Sequence, residues 1–277
     1  MSKASIRRLR KGWNEEFEAW SRRSLGDREV VYLWADGVYV KAGLEKDKAA
    51  LLVVIGALSD GTKEVLAVVP GYRESTESWG AVFRDLKDRG IQPPKLILAD
   101  GLAGIWAAAR EVWPESKEQR CWNHKMRNVL DRLPKREQET GRDLLRKIVS
   151  APSRQEAVAA RETFEKRFEP WYPKAVETLG DDWERMVTFY DFPEQHWRHL
   201  RTTNVVESPF ASVRLRTTAA KRFKRVDSAT TLIWKLLIVA EKRFRKLDAP
   251  HLVRQVAEGQ IFKDGKPVHT SYGRAAA

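Results

Sequence analysis

Three acidic residues stand where an acid is costly to keep. Asp36 lies inside VVYLWADGVYVKA (residues 30–42), Asp100 closes the apolar run KLILA, and Glu207 follows Thr202-Thr203-Asn204 in TTNVVESPFASVRLR. An isolated ionised carboxylate among Tyr, Val, Leu and Trp costs on the order of several kcal/mol, so Asp36 is expected to be protonated, paired, or facing a cation in a cleft. Capping by backbone amides at a bulge near Gly37 would satisfy Asp36 taken alone. Together, the three acids suggest more. Two divalent cations that embrace one phosphate need hard oxygen ligands from separate parts of a chain, with the metals ~3.5–4 Å apart. The chemistry to which such a set is suited is metal-dependent phosphoryl transfer. A chain with 38 acids contains many triples, so spacing alone decides little.

The elements around these acids narrow the choice. Residues 1–24 carry Ile6, Leu9, Trp13, Phe17 and Trp20 three or four apart, which predicts an amphipathic helix. Three apolar runs follow, 30–42, 50–58 and 64–69, the last two separated by the turn signature Ser59-Asp60-Gly61-Thr62, and they read as an antiparallel meander. A helix over 75–89 places Trp79, Val82, Phe83 and Leu86 on one face, with Glu77 near its start. KLILA then has the continuous apolar character of a central strand covered on both faces. A helix from 102 to about 113, a strand over 118–122 and a helix over 123–133 complete an α/β pattern whose order matches a ribonuclease H-like mixed sheet. In that order the first and fourth strands are neighbours, so Asp36 and Asp100 can converge. Residues 134–201 lack strand signals and predict an all-helical insertion with its own small core. The last part of the catalytic core is expected over 202–250, with helices around Glu207 and over 229–247, Pro209 falling in the first turn of the former. The tail, 251–277, is polar at its end and expected to be flexible.

Bulk composition points to an anionic partner. The chain has 277 residues, 51 Lys and Arg against 38 Asp and Glu, and a formal net charge of +13, which favours nucleic acid. The excess concentrates in residues 208–247, where eleven Lys and Arg face only Asp227 and Glu241. Within it, Arg214, Arg216, Lys221, Arg222, Lys224 and Arg225 form a one-signed strip suited to a DNA backbone, the alternative being a solvated helix face. Of the eleven Trp, those in polar surroundings (Trp13, Trp20, Trp171, Trp183) read as packing small helical cores, with base stacking as the alternative. A single cysteine excludes an internal disulfide and fits a reducing compartment. With no apolar run approaching a membrane span and no signal-peptide core at the start, a cytoplasmic protein is expected.

The segments LWADGVYVKAGLE, LILADGLAGIW, QRCWNHKMRNVLDRLP and TTNVVESPFASVRLRT, in this order, resemble the mutator-type transposases of bacterial insertion sequences. These are DDE enzymes with a ribonuclease H-like catalytic domain and a helical insertion before the last acid. The resemblance implies that Asp36, Asp100 and Glu207 are the metal-binding and catalytic acids, with Mg²⁺ as cofactor and Mn²⁺ as its substitute. It implies DNA as partner, both the element's terminal inverted repeats and the target, a homodimer or larger assembly on paired ends, and a bacterial cytoplasmic setting. Cleavage at the element end would free a 3′-hydroxyl that then attacks target DNA.

Further expectations follow from the same segments. The family's Cys-x-x-His pair corresponds to Cys121 and His124. The pair could begin a zinc site, but four ligands are usual and no second Cys exists, so a supporting role near the acids is expected. Asn204, one turn before Glu207, is expected either to orient that glutamate or touch DNA, or to serve as a plain N-cap. Full family members carry a long region with a helix-turn-helix-like module before the first aspartate. Only 35 residues precede Asp36 here, so residues 1–29 are expected to be the remnant of that region in a truncated element protein. Two rival functions remain open at this point: a nuclease that hydrolyses without joining, and a non-catalytic DNA-binding remnant or inhibitor of a full-length transposase.

Overall fold

In a computed structural model of the chain, residues 2–41, 48–71, 75–101, 103–219, 223 and 225–268 are described. The strands are β1 (Val30–Lys41), β2 (Lys48–Leu58), β3 (Lys63–Gly71), β4 (Leu96–Ala99) and β5 (Lys117–Arg120), forming one mixed sheet in the order β3-β2-β1-β4-β5. β1 and β3 run antiparallel to β2, while β4 lies parallel to both β1 and β5. Helices flank the sheet. This is the ribonuclease H-like arrangement that the element order predicts.

Alternation along the strands sorts their side chains onto two faces. Leu33, Ala35, Leu52, Val54, Ile97 and Ala99 face an apolar cluster built with α2 (Thr76–Asp88) and α3 (Ala103–Val112). α2 starts with Ser75, whose hydroxyl accepts from Ser78 N–H, and it buries Trp79, Val82, Phe83 and Leu86 at helical spacing. The opposite face carries Tyr32, Trp34, Val53, Ile55, Leu96 and Leu98. By parity, Asp36 and Asp100 belong to this second face.

That second face is covered by α4 (Trp122–Leu130) and by the helical segment after it: α5 (Gln138–Ser150), α6 (Arg154–Phe168), α7 (Pro173–Gly180), α8 (Trp183–Met186) and α9 (Trp197–Leu200). The expected separate core is not found, because Leu145, Phe164, Phe168, Leu179 and Phe189 belong to the same apolar cluster as Tyr32 and Trp34. Buried polar groups bind the two parts together. Tyr32 Oη lies 2.9 Å from His196 Nδ1, and Trp34 Nε1 donates to the His199 carbonyl. Gln119, fully buried, donates to the Met186 carbonyl and accepts from Phe189 N–H. Lys125, also fully buried, donates to the carbonyls of Thr178 and Asp181 at the end of α7. An isolated helical core would need no such ties. Trp171 departs from the expected core role, being 75% exposed.

α10 (Asn204–Ala219) and α11 (Val226–Glu241) follow, α10 against β1 and β2, α11 against β3. α11 is shorter at its carboxyl end than the expected 229–247. The first helix, α1 (Lys3–Ser21), lays Phe17 and Trp20 against Trp234 of α11, with ring centroids 5.4 and 5.7 Å away.

The expected flexible tail requires correction over residues 251–268. α12 (Pro250–Ala257) buries Val253 and Val256, and β6 (Phe262–Lys263) pairs with β7 (Lys266–Pro267) across an Asp264-Gly265 turn, both residues at positive φ. A Cβ on Gly265 would sit 2.7 Å from Glu194 Cβ, and Asp264 Oδ1 accepts from Arg154 N–H at the start of α6. Polarity misled the reading here, since the hairpin is held by backbone bonds and one buried ring, Phe262. No helix among the described residues is long and apolar enough to cross a membrane.

Candidate active site

β1 and the end of β4 carry two of the acids on neighbouring strands. Their parallel register pairs Tyr32 with Leu96, Leu33 with Ile97 and Trp34 with Leu98. Asp36 lies two residues past Trp34 within β1, and Asp100 lies two residues past Leu98, just beyond the end of β4, so each acid follows the last paired residues of the two neighbouring strands. Asp36 is 8% exposed, and its Oδ1 accepts from Gly37 N–H at 2.8 Å. Local capping at Gly37, anticipated as the simpler explanation, is therefore present and accounts for one oxygen.

The chain must turn sharply after Asp100, because α3 starts three residues later. Gly101 makes the turn at φ +102°, and a Cβ there would lie 2.1 Å from Arg120 Nε. Arg120 lies over this turn, donating to the Asp100 carbonyl at 3.3 Å and to Asp182 Oδ2 at 2.7 Å. Gly104 lets α3 pack on the start of α2, where a Cβ would be 2.6 Å from Thr76 N. The two glycines of DGLAG thus serve the position of Asp100.

Glu207 lies in the first turn of α10, where a carboxylate is favoured by the helix dipole. Its N–H donates to the Thr203 carbonyl at 2.9 Å, and its Oε1 accepts a short hydrogen bond from the Thr203 hydroxyl. Thr203 is fully buried and is itself held by Cys121, whose Sγ lies 3.2 Å from the hydroxyl and accepts from Thr203 N–H at 3.3 Å. Cys121 caps α4, and its N–H donates to the Ala99 carbonyl, one residue before Asp100. A continuous relay runs from the end of β4 through Cys121 and Thr203 to Glu207. Sequence reasoning missed Thr203; the signal lay in its position four residues before the glutamate.

Ligand-type atoms of Cys121, His124 and Glu207 all lie within 4.8 Å of one another, and theirs is the one such group among the described residues. His124 Nδ1 is buried, has no hydrogen-bond partner of good geometry, and lies 3.9 Å from Glu207 Oε1. Its pKa is raised to about 9 by the Cys121 sulfur, then by Glu207 and Asp100, against the opposing effect of burial. These neighbours favour the protonated ring beside the glutamate. The cysteine's sulfur is engaged as an acceptor by Thr203, which fits positioning better than metal ligation. The oxygen donors Asp36, Asp100 and Glu207 are the kind of set that Mg²⁺ prefers.

Asn204 takes neither expected role towards the glutamate or the cap. It is the first residue of α10, and its Oδ1 accepts from Asn123 Nδ2 at 3.0 Å, joining α10 to α4. Pro209 lies in the second turn rather than the first. Without an N–H it offers the Val205 carbonyl no helical partner. Of the basic strip, Arg214 is exposed, and Arg225, also exposed, pairs with Asp227 at 2.8 Å. The side chain of Arg216, and Lys221, Arg222 and Lys224 altogether, lie outside the described residues.

Comparison with known proteins gives a consistent answer. The chain is 43% identical over 266 residues to the transposase for insertion sequence element IS6120 of Mycolicibacterium smegmatis, covering 96% of this chain and 82% of that protein. It is 41% identical over 270 residues to the transposase for insertion sequence element IST2 of Acidithiobacillus ferrooxidans, covering 97% and 91%. Likeness to the HTLV-2 integrase catalytic core domain in complex with magnesium is slight, with a TM-score of 0.26 and 18% identity over 44% of this chain and 85% of that one, so the fold assignment rests on strand order instead. The profile described as "Transposase, Mutator family" matches residues 1–246. This chain belongs to the Mutator family of transposases.

Proposed function

We propose that the chain is a DDE transposase that cleaves DNA at the ends of an insertion sequence and joins the freed 3′-hydroxyl to target DNA, using Asp36, Asp100 and Glu207 to hold Mg²⁺. The observation that supports this reading is the parallel β1–β4 register, whose last pair, Trp34 with Leu98, precedes Asp36 and Asp100 by two residues each, on the sheet face that α10, bearing Glu207, covers. When bound, divalent cations would stabilise charge on the scissile phosphate and lower the pKa of an attacking water.

The protein's own groups supply the rest. Asp36, anchored by Gly37 N–H, and Asp100, anchored by the Gly101 turn, present oxygens from a rigid sheet. Thr203 donates to Glu207 and so restrains its rotamer, and His124 beside it, when protonated, would offset carboxylate charge at the site. The net charge of +13 favours a polyanion, and a second copy of the chain would allow two ends to be processed together. Strand-transfer assays on pre-cut ends with Mg²⁺ test the reading. Asp36→Asn, Asp100→Asn and Glu207→Gln should each reduce joining by ~10³-fold or more, as expected when a group acting on transition-state charge is lost. Wild-type joining in any of the three would overturn the assignment of that residue, and cleaved but never joined DNA from the wild-type chain would indicate a nuclease.

A further inference from the structure

A cavity lies on the flank of α10 next to Glu207. At 100° per residue, Asn204 and Ser208 stand beside Glu207 on the helix surface, and the cavity opens on their side, bounded by α10, α11 and the segment after α11. It encloses about 550 Å³. Three cations line it, Lys63, Arg243 and Arg245, and no acid lines it among the described residues. Lys63 is partly desolvated there, and burial lowers its pKa. Pro209, Leu236, Val239 and Phe244 supply apolar wall, and His199, Asn204 and Ser208 supply polar wall.

Cations at the rim and a ring with aliphatic carbons inside suit one chemistry in particular, an anionic group joined to a flat apolar one. The volume lies within the roughly 300–1,000 Å³ of sites that enclose ligands of small-molecule size, which fits one nucleotide and is too confined for a base-paired duplex. We propose that this cavity holds an unpaired nucleotide of the DNA strand whose scissile phosphate lies at the acids, with its base against Phe244 and Pro209 and its phosphates on Lys63, Arg243 and Arg245. The proposal rests on the acids being the reaction centre only for which strand is held; binding itself does not require their activity. The charge-lined, aromatic-floored groove is the general solution for single strands. Asn204, tied to Asn123 at the boundary, separates the cavity from Glu207 by less than one helical turn.

The test uses the full chain and fluorescein-labelled oligothymidylate, with a blunt duplex of the same length for comparison, both followed by anisotropy without divalent metal. Val239 is 51% exposed on α11, so Val239→Trp fills the cavity from its outer wall with little demand on the core. Arg243→Glu reverses one charge at the rim. Both variants should bind the single strand about tenfold more weakly than wild type, while Val239→Trp binds the duplex unchanged. Thermal unfolding establishes that each variant is folded. Wild-type affinity for the single strand in both folded variants would overturn the proposal, as would equal weakening of single strand and duplex by Val239→Trp. Asp36→Asn separates the two readings. It should leave single-strand binding intact, so a failure of metal-dependent joining bears on the acids, and a failure of the Val239→Trp and Arg243→Glu effects bears on the cavity.

Discussion

Removing the hydroxyl of Thr203 should loosen the metal site without touching a metal ligand. In the folded chain that hydroxyl donates to Glu207 Oε1 and lies 3.2 Å from Cys121 Sγ, and Thr203 is fully buried. Thr203→Val keeps the shape and deletes the donor. Glu207, 26% exposed at its side chain, would then be free about χ1 and χ2, each with three staggered wells. Restricting nine conformers to one costs RT ln 9, about 1.3 kcal/mol, within the range of side-chain ordering entropies. The hydrogen bond to the carboxylate persists in the loaded state, so its own energy largely cancels. At about 1.4 kcal/mol per decade, the Mn²⁺ concentration that supports half-maximal strand cleavage should rise about tenfold in Thr203→Val, with the maximal rate recovered at high Mn²⁺. Thr203→Ser keeps the hydroxyl and should stay within about threefold of wild type, the size of a small packing change. A Thr203→Val enzyme with wild-type metal dependence would refute the reasoning, as would Thr203→Ser and Thr203→Val failing equally.

Other perturbations test the scaffold beneath the site. Gly101→Ala forces a Cβ into a position 2.1 Å from Arg120 Nε at φ +102°, and urea denaturation should show a loss of about 1–3 kcal/mol from backbone strain alone; unchanged stability would mean that the Gly101 turn can be remade. Lys125→Met strips the Thr178 and Asp181 carbonyls of their buried donor and should cost about 1–3 kcal/mol, whereas a gain would mean that desolvating the ammonium outweighs its bonds. Burial lowers the His196 pKa from 6.5 to about 4. Between those values the unfolded chain binds the proton and the folded chain does not, so stability rises with pH through the window and is lost as pH falls through it, by about 3 kcal/mol in total. Unfolding measured from pH 7 to 4 should show a flatter profile for His196→Phe than for wild type, and parallel profiles would contradict the histidine's part.

How much of this could be read beforehand depended on whether the signal was local. Strand order was legible because alternation in 30–42 and 50–58, the Asp60-Gly61 turn and the unbroken apolar KLILA each constrain their own segment. Asp36 and Asp100 stood out as acids in apolar runs, a conflict between residue and surroundings that points to function. The Thr203 and Cys121 relay was hidden because it joins residues 82 apart, and nothing in either segment announces the other. The shared core of sheet and helical segment was hidden likewise: buried Lys125 and Gln119 look like surface residues until the carbonyls they satisfy are known. The hairpin at 262–267 is the opposite case. Lys-Asp-Gly-Lys carried a two-residue turn signature, and the polar composition of the tail obscured it.

The central claim is that Asp36, Asp100 and Glu207 form one divalent-metal site, and calorimetric titration of Mn²⁺ into the wild-type chain and into Asp36→Asn, Asp100→Asn and Glu207→Gln tests it most directly, with a pre-cut DNA end present to complete the coordination. Saturable binding by the wild type that weakens in all three variants, while each keeps its fold and its affinity for DNA, is the predicted result. Wild-type Mn²⁺ affinity in the three variants, or binding lost only on substitution of Cys121 and His124, would contradict it and move the metal to the Cys121, His124 and Glu207 group.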